Sequence, residues 1–489
     1  MTLPYKPLII GLTLVLTSCA VGPNFKKPEA PPVKSYTANP ISETGGATNV
    51  AGGEVQHFVN DQDIAGDWWT IFHSKPLNDL IERSLKANPN LKAAQAALVA
   101  ARETVKAQQG GYYPQAAASF SGSHERTSHD LSTVTYANEF NFNLFTPQVT
   151  VSYVPDVFGL NRRTVESLNA QAEQARFALV ASDITLSANV VEAAIQEASV
   201  REQIDATRQL IEINSNMLQV LKAQFSKGYA NRLDVAAQES QLAQIIATLP
   251  PLVKQLAQQR DLLAALSGGF PSDGVAETFE LSGLQLPQEL PLSVPSKLLA
   301  QRPDVRQAEE NMHAASAQVG IAAANRLPNF MLSADLGSDA LHWGQIFSSG
   351  TGFWGLAGSV SQPLFEGGTL LHRHRAAWAT YTNAAELYRA AVLTAFQNVA
   401  DTMVALEQDA HGLNAAAAAR DAAKITLDLS MQQWRSGYAS YLSLLSAEQT
   451  YNQAVINLIQ AQANRYADTA ALFQALGGGW WNRADLTKK

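Results

Sequence analysis

The residues whose types and spacing could do chemistry are few, and histidines come first. His124 and His129 enclose a glutamate in the segment HERTSH. Zinc ligands on one helix face are four residues apart, whereas these two are five apart. His372 and His374 lie two apart, with no third ligand beside them in the sequence. The chain also lacks a nucleophile elbow and a phosphate-binding P-loop. The sequence therefore predicts no catalytic residue, no metal site and no bound cofactor.

The single cysteine, Cys19, is where we expect covalent chemistry. Lys6 precedes an apolar run from Leu8 to Leu16, which is too short to span a bilayer and has the layout of a secretory signal. The end of this run, LTSC, resembles a bacterial lipobox. That resemblance implies cleavage before Cys19 and attachment of lipid to its sulfur. Ala20, where an Asp would signal retention in the inner membrane, implies the outer membrane. An ordinary signal peptide with an incidental cysteine is the alternative.

Composition limits the classes of partner. Charged residues make up 16% of the chain and the net charge is −8, which argues against nucleic acid because phosphates are bound by basic surfaces. Residues 1–18 are predicted to be the signal peptide and residues 19–53 a lipidated tether. Between Pro28 and Thr48 this tether is rich in Pro, Ser, Thr and Gly, so little structure is expected there.

The rest of the chain contains two copies of one large assembly. The segment FSKGYANRLDVAAQES from Phe225 returns as WRSGYASYLSLLSAEQT from Trp434, and NPNLKAAQ from Asn88 returns as RPDVRQAE from Arg302. A period of about two hundred residues is too long for a solenoid unit. We expect a first repeat over residues 54–270, a linker over 271–300, a second repeat over 301–476 and a C-terminal segment over 477–489.

Each repeat is predicted to contain a helix, two strands, a long helix and a return helix. Strands are indicated by alternating apolar and polar residues, and long helices by the scarcity of Gly and Pro. The predicted strands lie near 115–131 and 143–155, and near 329–338 and 353–363. The predicted long helices are 160–227 and 369–436, and the return helices are 233–266 and 441–476.

Four barrel-type strands cannot close by themselves. An open strand edge in lipid leaves backbone groups unpaired, and natural membrane barrels begin at about eight strands. Two chains would supply eight strands and three would supply twelve. A cyclic homo-oligomer is therefore expected.

Several short motifs, in order along the chain, carry a family resemblance. They are the lipobox, VGPNFKKP from Val21, DWW from Asp67 with Phe72, NPNL from Asn88, RPDV from Arg302, PLFEGG from Pro363, the two Gly-Tyr-Ala turns and ALGGGW from Ala475. With these the chain resembles the outer membrane factor family of TolC-like efflux channels, and above all its lipoprotein branch (NodT/OprM-like).

The resemblance implies an α+β membrane fold. Four strands and long helices from each protomer of a homotrimer would form a 12-stranded outer-membrane β-barrel, continuous with a 12-helix periplasmic α-barrel. A mixed equatorial domain is expected from the segments near Val55–Leu85 and Phe270–Leu299 and from the C-terminus.

In this family the two turns that end the long helices form the periplasmic tip, where the channel is gated and an adaptor protein docks. The resemblance therefore implies that Gly228, Tyr229, Gly437 and Tyr438 lie at the tip. The glycines also suit the left-handed residue that ends a helix.

The family narrows its pore just after the second turn, with apolar and acidic rings. Leu442 matches the apolar ring, whereas Ser443 and Ser446 stand where relatives carry Asp. Asp234 is the equivalent of Ser443 in the first repeat and is the remaining candidate for an acidic ring. The alternative for Asp234 is a solvated residue in a first helical turn.

The implied function is a passive exit duct of a tripartite efflux pump in the outer membrane. Its expected partners are two further copies of the chain, a periplasmic adaptor, an inner-membrane transporter of the resistance-nodulation-division type and outer-membrane lipid. A type I protein-secretion duct on the same fold is one alternative. A non-conducting, lipid-anchored coiled-coil scaffold in the periplasm is the other.

Overall fold

The computed structural model of the protein describes residues 20–48, 50–127 and 141–487. The predicted signal peptide, the predicted lipidation site Cys19, His129 and the last residues of the first predicted strand lie outside these ranges. The described chain has six strands: β1 (His57–Asn60), β2 (Gln115–Arg126), β3 (Asn141–Tyr153), β4 (Glu289–Leu292), β5 (Asn329–Ser338) and β6 (Gly352–Ser361).

Nine α-helices occur within the described residues. They are α1 (Lys75–Ala87), α2 (Pro89–Gln109), α3 (Leu160–Ser226), α4 (Arg232–Leu266), α5 (Pro295–Gln301), α6 (Pro303–Ala324), α7 (Thr369–Arg435), α8 (Tyr441–Ala475) and α9 (Ala484–Thr487). Helices α3 and α7 each contain 67 residues, so each is about 100 Å long at 1.5 Å per residue. The ends of the long and return helices lie within one residue of the predicted ends.

Strands β2, β3, β5 and β6 form one antiparallel sheet in that order. Strands β3 and β6 end two residues earlier than the sequence predicts, at Tyr153 and Ser361. Within the described chain, β2 and β6 each have one neighbour and are the two edges of this sheet. The sheet is therefore open on both sides in a single protomer.

A second, smaller sheet was not predicted, so the described residues contain two strands in addition to the four expected ones. Strand β1 pairs in parallel with β4, with Phe58 opposite Leu290 and Asn60 opposite Leu292. Each strand has only four residues, which is too short for an alternation of apolar and polar residues to be recognised. The two strands come from the two segments that were expected to contribute to an equatorial domain.

The chain divides into two compact units, each of which contains parts of both repeats. One consists of Met1–Pro28, Ala97–Ala175 and Ala308–Tyr388, and includes the four-stranded sheet. The other consists of Glu29–Ala96, Arg176–Gln307 and Arg389–Lys489. The compact units therefore do not coincide with the repeats of the sequence.

The N-terminal tether is more ordered than its composition indicates. Its described residues between Glu29 and Gly53 form no helix and no extended strand, as expected. However, the buried guanidinium of Arg465 donates hydrogen bonds to the carbonyl oxygens of Gly52 and Glu54 and to Oγ1 of Thr44. The Tyr36 hydroxyl donates to the carbonyl oxygen of Ser293 (2.7 Å). The tether is thus held by specific contacts to its own compact unit.

Among the residues that the structure describes, one helix is long and apolar enough to cross a membrane by composition. It is α3, and 67% of its most apolar window is buried inside the protein. Burial of this kind is what a core helix requires, so the apolar window is explained by packing.

Candidate functional site

The two turns that end the long helices have the same backbone geometry. At the first turn, N–H of Gly228 donates to the carbonyl of Phe225 and N–H of Tyr229 donates to that of Gln224. At the second, Gly437 and Tyr438 make the equivalent bonds to Trp434 and Gln433. Both glycines are left-handed, with φ of 79° and 74°. This is the Schellman motif, which satisfies the last carbonyls of a helix.

The residue after each of these glycines is a tyrosine that points into solvent. Tyr229 is 82% exposed and Tyr438 is 88% exposed. An exposed aromatic ring next to a tight turn is suited to contact another protein, because it offers a large contact area with few rotatable bonds. The geometry is compatible with the predicted docking tip, which stays a prediction.

The residues predicted to narrow the pore lie on one exposed stripe of α8. Leu442 is 48% exposed, and Ser443 and Ser446 are exposed beside it. Ser443 also completes the helix start, since its N–H donates to Oγ of Ser440 (3.2 Å). The stripe is therefore not used in packing its own chain, and its role as a gate stays a prediction.

Asp234 has a structural role in the first repeat. Asn231 caps α4, and its side chain accepts a hydrogen bond from N–H of Asp234 (2.8 Å). The Asp234 carboxylate in turn accepts from N–H of Asn231 (3.5 Å), which makes a capping box. The carboxylate is half-buried rather than fully exposed. The capping geometry thus supports the alternative that Asp234 is a residue of a first helical turn, and its part in an acidic ring stays a prediction.

Beneath these turns the two repeats meet in an apolar cluster of residues. Its buried members are Met217, Leu221, Val235, Tyr441, Leu444 and Leu445. A polar layer crosses the helices next to it: the Tyr441 hydroxyl donates to Oε1 of Gln238, and Nε2 of Gln238 donates to the Asn214 carbonyl (2.8 Å). The Gln449 amide donates to Oε1 of Gln241 (2.5 Å). The bonds from Tyr441 and Gln449 join the second return helix to the first, and the bond from Gln238 to Asn214 joins the first return helix to α3.

Glu448 lies in the same region and was missed by the sequence analysis. It is 4% exposed, and neither carboxylate oxygen has a hydrogen-bond partner within the described chain. Burial raises the pKa of this carboxyl from 4.5 to about 7. A comparison of the two repeats could have identified Glu448 from the sequence. The equivalent residue of the first repeat, Glu239, has cationic neighbours that Glu448 lacks.

The four-stranded sheet has one apolar and one polar face. Its register places Val149 beside Leu336 and Leu336 beside Trp354, on the same face. The apolar set is Ala116, Ala118, Phe120, Phe145, Val149, Val151, Tyr153, Phe330, Leu332, Ala334, Leu336, Trp354, Leu356 and Val360. Many of its large side chains are exposed, among them Leu336, Trp354 and Leu356. A soluble sheet would bury such a face, so this one is suited to lipid.

The opposite face of the sheet is polar. Thr150 lies opposite Asp335 and donates a hydrogen bond to its carboxylate (2.7 Å). Thr146 donates similarly to Asp339 (2.7 Å), and Ser123 to Glu125 (2.7 Å). Alternation of this kind is typical of strands whose two faces meet lipid and water.

Aromatic residues lie at both ends of the apolar face. Phe120 and Phe145 contact the ring of Trp343 edge-on, at centroid distances of 5.4 and 5.6 Å. At the other end Phe158 contacts Phe330 at 6.4 Å. Aromatic rings at two levels are typical of the two interfaces of a membrane.

The segment that follows Cys19 is clamped at the start of α3. We call Ala20–Pro28 the strap. Val21 N–H donates to the Phe158 carbonyl (3.1 Å). The buried guanidinium of Arg163 donates to the carbonyls of Val21 and Gly22 and to Oδ1 of Asn24. The strap is therefore held from its first described residues onward.

The other end of the strap rests on α6. The Phe25 ring stacks on His313 at 4.4 Å, and Lys27 pairs with Glu309 at 3.2 Å. His313 also contacts carboxylates of Glu166 (3.2 Å) and Glu310 (3.3 Å), and these hydrogen bonds raise its pKa to about 9. A positively charged imidazole thus lies between the Phe25 ring and two acidic side chains.

The histidine motifs do not form a metal site in the described residues. His124 contacts Oδ1 of Asn143 (2.8 Å) on the neighbouring strand. His372 is exposed at the start of α7, and no group of three potential ligands occurs in the part of the chain that the structure describes.

Sequence comparison agrees with these features. The profile of the family described as "Outer membrane efflux protein" matches residues 80–269 and 294–478. The probable efflux pump outer membrane protein TtgC of Pseudomonas putida is 28% identical over 480 residues, covering 96% of this chain and 94% of TtgC. Outer membrane protein OprJ of Pseudomonas aeruginosa is 25% identical, covering 97% of this chain and 95% of OprJ.

Structure comparison leads to the same family. The solved outer-membrane channel OprN superposes with a TM-score of 0.82 and is 26% identical, covering 94% of this chain and all of OprN. The family profile covers well over half of the chain. The protein therefore belongs to the outer membrane efflux protein family, and its place is the outer membrane.

Proposed function

We propose that this protein is the exit duct of a tripartite efflux pump, which conducts solutes passively across the outer membrane. The observation that carries the proposal is the four-stranded sheet, with an exposed apolar face, a polar face and two open edges. In lipid an open edge leaves backbone groups unpaired. The sheet is therefore one segment of a barrel that other chains complete.

A homotrimer is the smallest assembly that leaves a wide lumen. Three protomers supply twelve strands, and barrels larger than eight strands leave internal space. The polar face, with Thr150 and Asp335, then lines the water-filled interior, and the apolar face meets lipid. The long helices α3 and α7, with their return helices, supply twelve helical segments for a periplasmic barrel. The separation of apolar and polar residues onto opposite faces of the sheet supports this arrangement over a non-conducting scaffold, because a scaffold has no need of an exposed apolar face.

The tip functions are part of the same proposal. Tyr229 and Tyr438, with the glycines before them, form the surface for a periplasmic adaptor. Leu442, Ser443 and Ser446 line the gate, with an apolar ring from Leu442. A resistance-nodulation-division type transporter in the inner membrane supplies the energy, and the duct itself carries out no catalysis and needs no cofactor.

Lipid on Cys19 is proposed as the membrane anchor. The strap begins one residue after Cys19 and is clamped to the start of α3 by Arg163. Lipid attached there is held close to the end of strand β3. Replacement of Cys19 by Ser is expected to abolish palmitate labelling in cells; retained labelling would refute lipidation at this residue.

Disulfide cross-linking tests the closed trimer. A Ser119→Cys change on edge strand β2 is combined in turn with Gly355→Cys, Ala357→Cys or Ser359→Cys on edge strand β6. At least one pair is expected to give a trimer on a non-reducing gel, which reductant converts to monomer. The control joins Ser119→Cys with Ser333→Cys on the inner strand β5, which is expected to remain monomeric. Monomers from every edge pair would contradict a closed barrel.

Recording in planar lipid bilayers tests conduction. The purified protein is expected to give steps of current, and Leu442→Ala is expected to raise the open fraction because it removes bulk from the gate. Absence of current from both proteins would favour the scaffold.

A further inference from the structure

Glu448 is a buried carboxylic acid that nothing in its own chain neutralises. Its side chain lies in α8, one helical turn beyond the apolar cluster residues Leu444 and Leu445. It is 4% exposed, and both carboxylate oxygens lack a partner in the described protein. Because it is enclosed by its own protomer, a neighbouring chain has little access to it. An ionised carboxylate in such a place is costly.

The first repeat shows what this position holds when it is paired. Glu239 is the equivalent of Glu448, 209 residues earlier. Its carboxylate contacts Nζ of Lys222 at 2.9 Å and the guanidinium of Arg232 at 3.9 Å. At the positions equivalent to these two cations the second repeat carries Met431 and Tyr441. The second repeat therefore has the carboxylate without either of the two positive charges.

Neither Met431 nor Tyr441 supplies a positive charge to Glu448. Met431 packs against the apolar cluster, and the Tyr441 hydroxyl is committed to Oε1 of Gln238 on α4. Burial raises the pKa of the Tyr441 phenol, and the charges of Glu448 and then Asp234 raise it further. The other side chains of the polar layer are neutral: Asn214 on α3, Gln238 and Gln241 on α4, and Gln449 on α8.

We propose that Glu448 is a positioning residue of the gate, which holds the second hairpin against the first while it is protonated and loosens it when it is ionised. This inference rests on the proposed function, because it concerns the turn between α7 and α8 where the gate is placed. The carboxyl acts through the packing of Tyr441, Leu444 and Leu445, which are buried on the same helix that carries the exposed residues Leu442, Ser443 and Ser446. Any rearrangement that hydrates the carboxylate is favoured once it has lost its proton.

The direction of the pH effect follows from the proton balance. The packed arrangement raises the pKa of Glu448 from 4.5 to about 7, so it binds the proton more tightly than a hydrated arrangement does. The protonated Glu448 carboxyl therefore stabilises the packed arrangement fully below pH 4.5, and this stabilisation is lost as the pH rises through about 7. The equilibrium between packed and loosened tips can shift by on the order of a hundredfold across that interval, since each pKa unit is a factor of ten.

Planar-bilayer recording between pH 5.5 and pH 8 tests the proposal on the full-length protein. The open fraction of the unmodified channel is expected to rise about tenfold or more over this range. Glu448→Gln keeps the shape but has no proton to lose, so its open fraction is expected to stay low and flat. Glu239→Gln is the matched control and is expected to keep the pH dependence, because Glu239 is already paired.

A charge restored from the first repeat provides the sharper test. Met431→Lys places an ammonium where Lys222 stands beside Glu239, so Glu448 is expected to ionise without loosening the tip. The pH dependence should then disappear although the carboxylate remains. Persistence of the full pH dependence in Glu448→Gln would overturn the proposal.

Hydrogen–deuterium exchange separates this inference from the duct function. Amides of residues 431–450, corrected for the intrinsic effect of pH, are expected to exchange faster at pH 8 than at pH 6 in the unmodified protein, but equally at both in Glu448→Gln. If the exchange rates of the two proteins depended equally on pH, the proposed role of Glu448 would be overturned. Absence of current with the expected exchange pattern would instead overturn the duct function.

Discussion

Replacement of Arg163 by Leu is expected to release the strap while leaving the rest of the fold intact. The Arg163 side chain is buried and makes four hydrogen bonds. Three of these go to the strap, at Val21, Gly22 and Asn24, and the fourth goes to Glu166. Leucine fills much of the same space but donates nothing. The strap carbonyls then regain partners only by turning to water.

The size of the effect can be worked out from these contacts. Removal of one partner from a buried charged network costs about 3–5 kcal/mol. The strap can detach without unfolding the helices, so its docking free energy, rather than global stability, absorbs the loss. A cost of 3 kcal/mol raises the fraction of detached strap by roughly a hundredfold, since about 1.4 kcal/mol is a factor of ten.

Limited proteolysis with trypsin measures this opening. The Lys26–Lys27 bond is the susceptible site in the strap, because Pro28 protects the bond after Lys27. Mass spectrometry of the detergent-solubilised protein is expected to show cleavage after Lys26 about a hundredfold faster in Arg163→Leu. Arg162→Leu is the matched control, because within the described residues the side chain of Arg162 pairs with Asp156 at 3.5 Å and not with the strap. Equal cleavage rates in the unmodified protein and Arg163→Leu would refute the role of the clamp.

Three further outcomes are expected. Gly228→Ala and Gly437→Ala should each lower stability by about 1–2 kcal/mol in thermal melts, because an alanine is strained in the left-handed backbone conformation of both positions. No atom lies within 4 Å of the added methyl at either position, so a large difference between the two variants would contradict the shared turn geometry. The His313 imidazole has a raised pKa of about 9, so its contribution is complete below pH 6.5 and is lost as the pH rises through 9. Discounted for partial exposure it amounts to about 1 kcal/mol, and a His313→Gln protein should lack that part of the alkaline decline in melting temperature. Leu356→Arg on the apolar sheet face should cost about 2–4 kcal/mol and reduce the amount recovered in the outer membrane, whereas Ser359→Arg on the polar face should not; equal recovery would contradict the assignment of faces.

The long elements could be predicted because their signals are local and repeated. No Gly lies between Gly159 and Gly228, so α3 has nothing to interrupt it, and the left-handed Gly228 ends it. The strands of the large sheet follow from alternation, and the register shows that the apolar parities of all four coincide on one face. The alternation of apolar and polar residues within each strand is thus enough to predict which residues lie on each face of the sheet.

Contacts between distant parts of the sequence could not be predicted. Strands β1 and β4 pair across more than two hundred residues, and Pro291 in β4 argues against a strand when the sequence is read alone. The tether between Glu29 and Gly53 has a composition typical of a flexible linker, yet Arg465 holds it. The buried arginines that clamp the tether and the strap, Arg465 and Arg163, have no local pattern that distinguishes them from exposed ones.

The turns that end the long helices illustrate a third case, in which the signal was present in the sequence but could be recognised only by comparing the two repeats. The backbone geometry at Gly228 and Gly437 is the same, so the turns considered alone predict two equivalent hairpins. The interiors differ, because Lys222 and Arg232 pair with Glu239 while Met431 and Tyr441 leave Glu448 without a cation. A buried carboxylate without a partner costs stability at neutral pH. A leucine or glutamine at this position would remove that cost, so packing does not explain the glutamate, whereas the pH-dependent hairpin proposed above does.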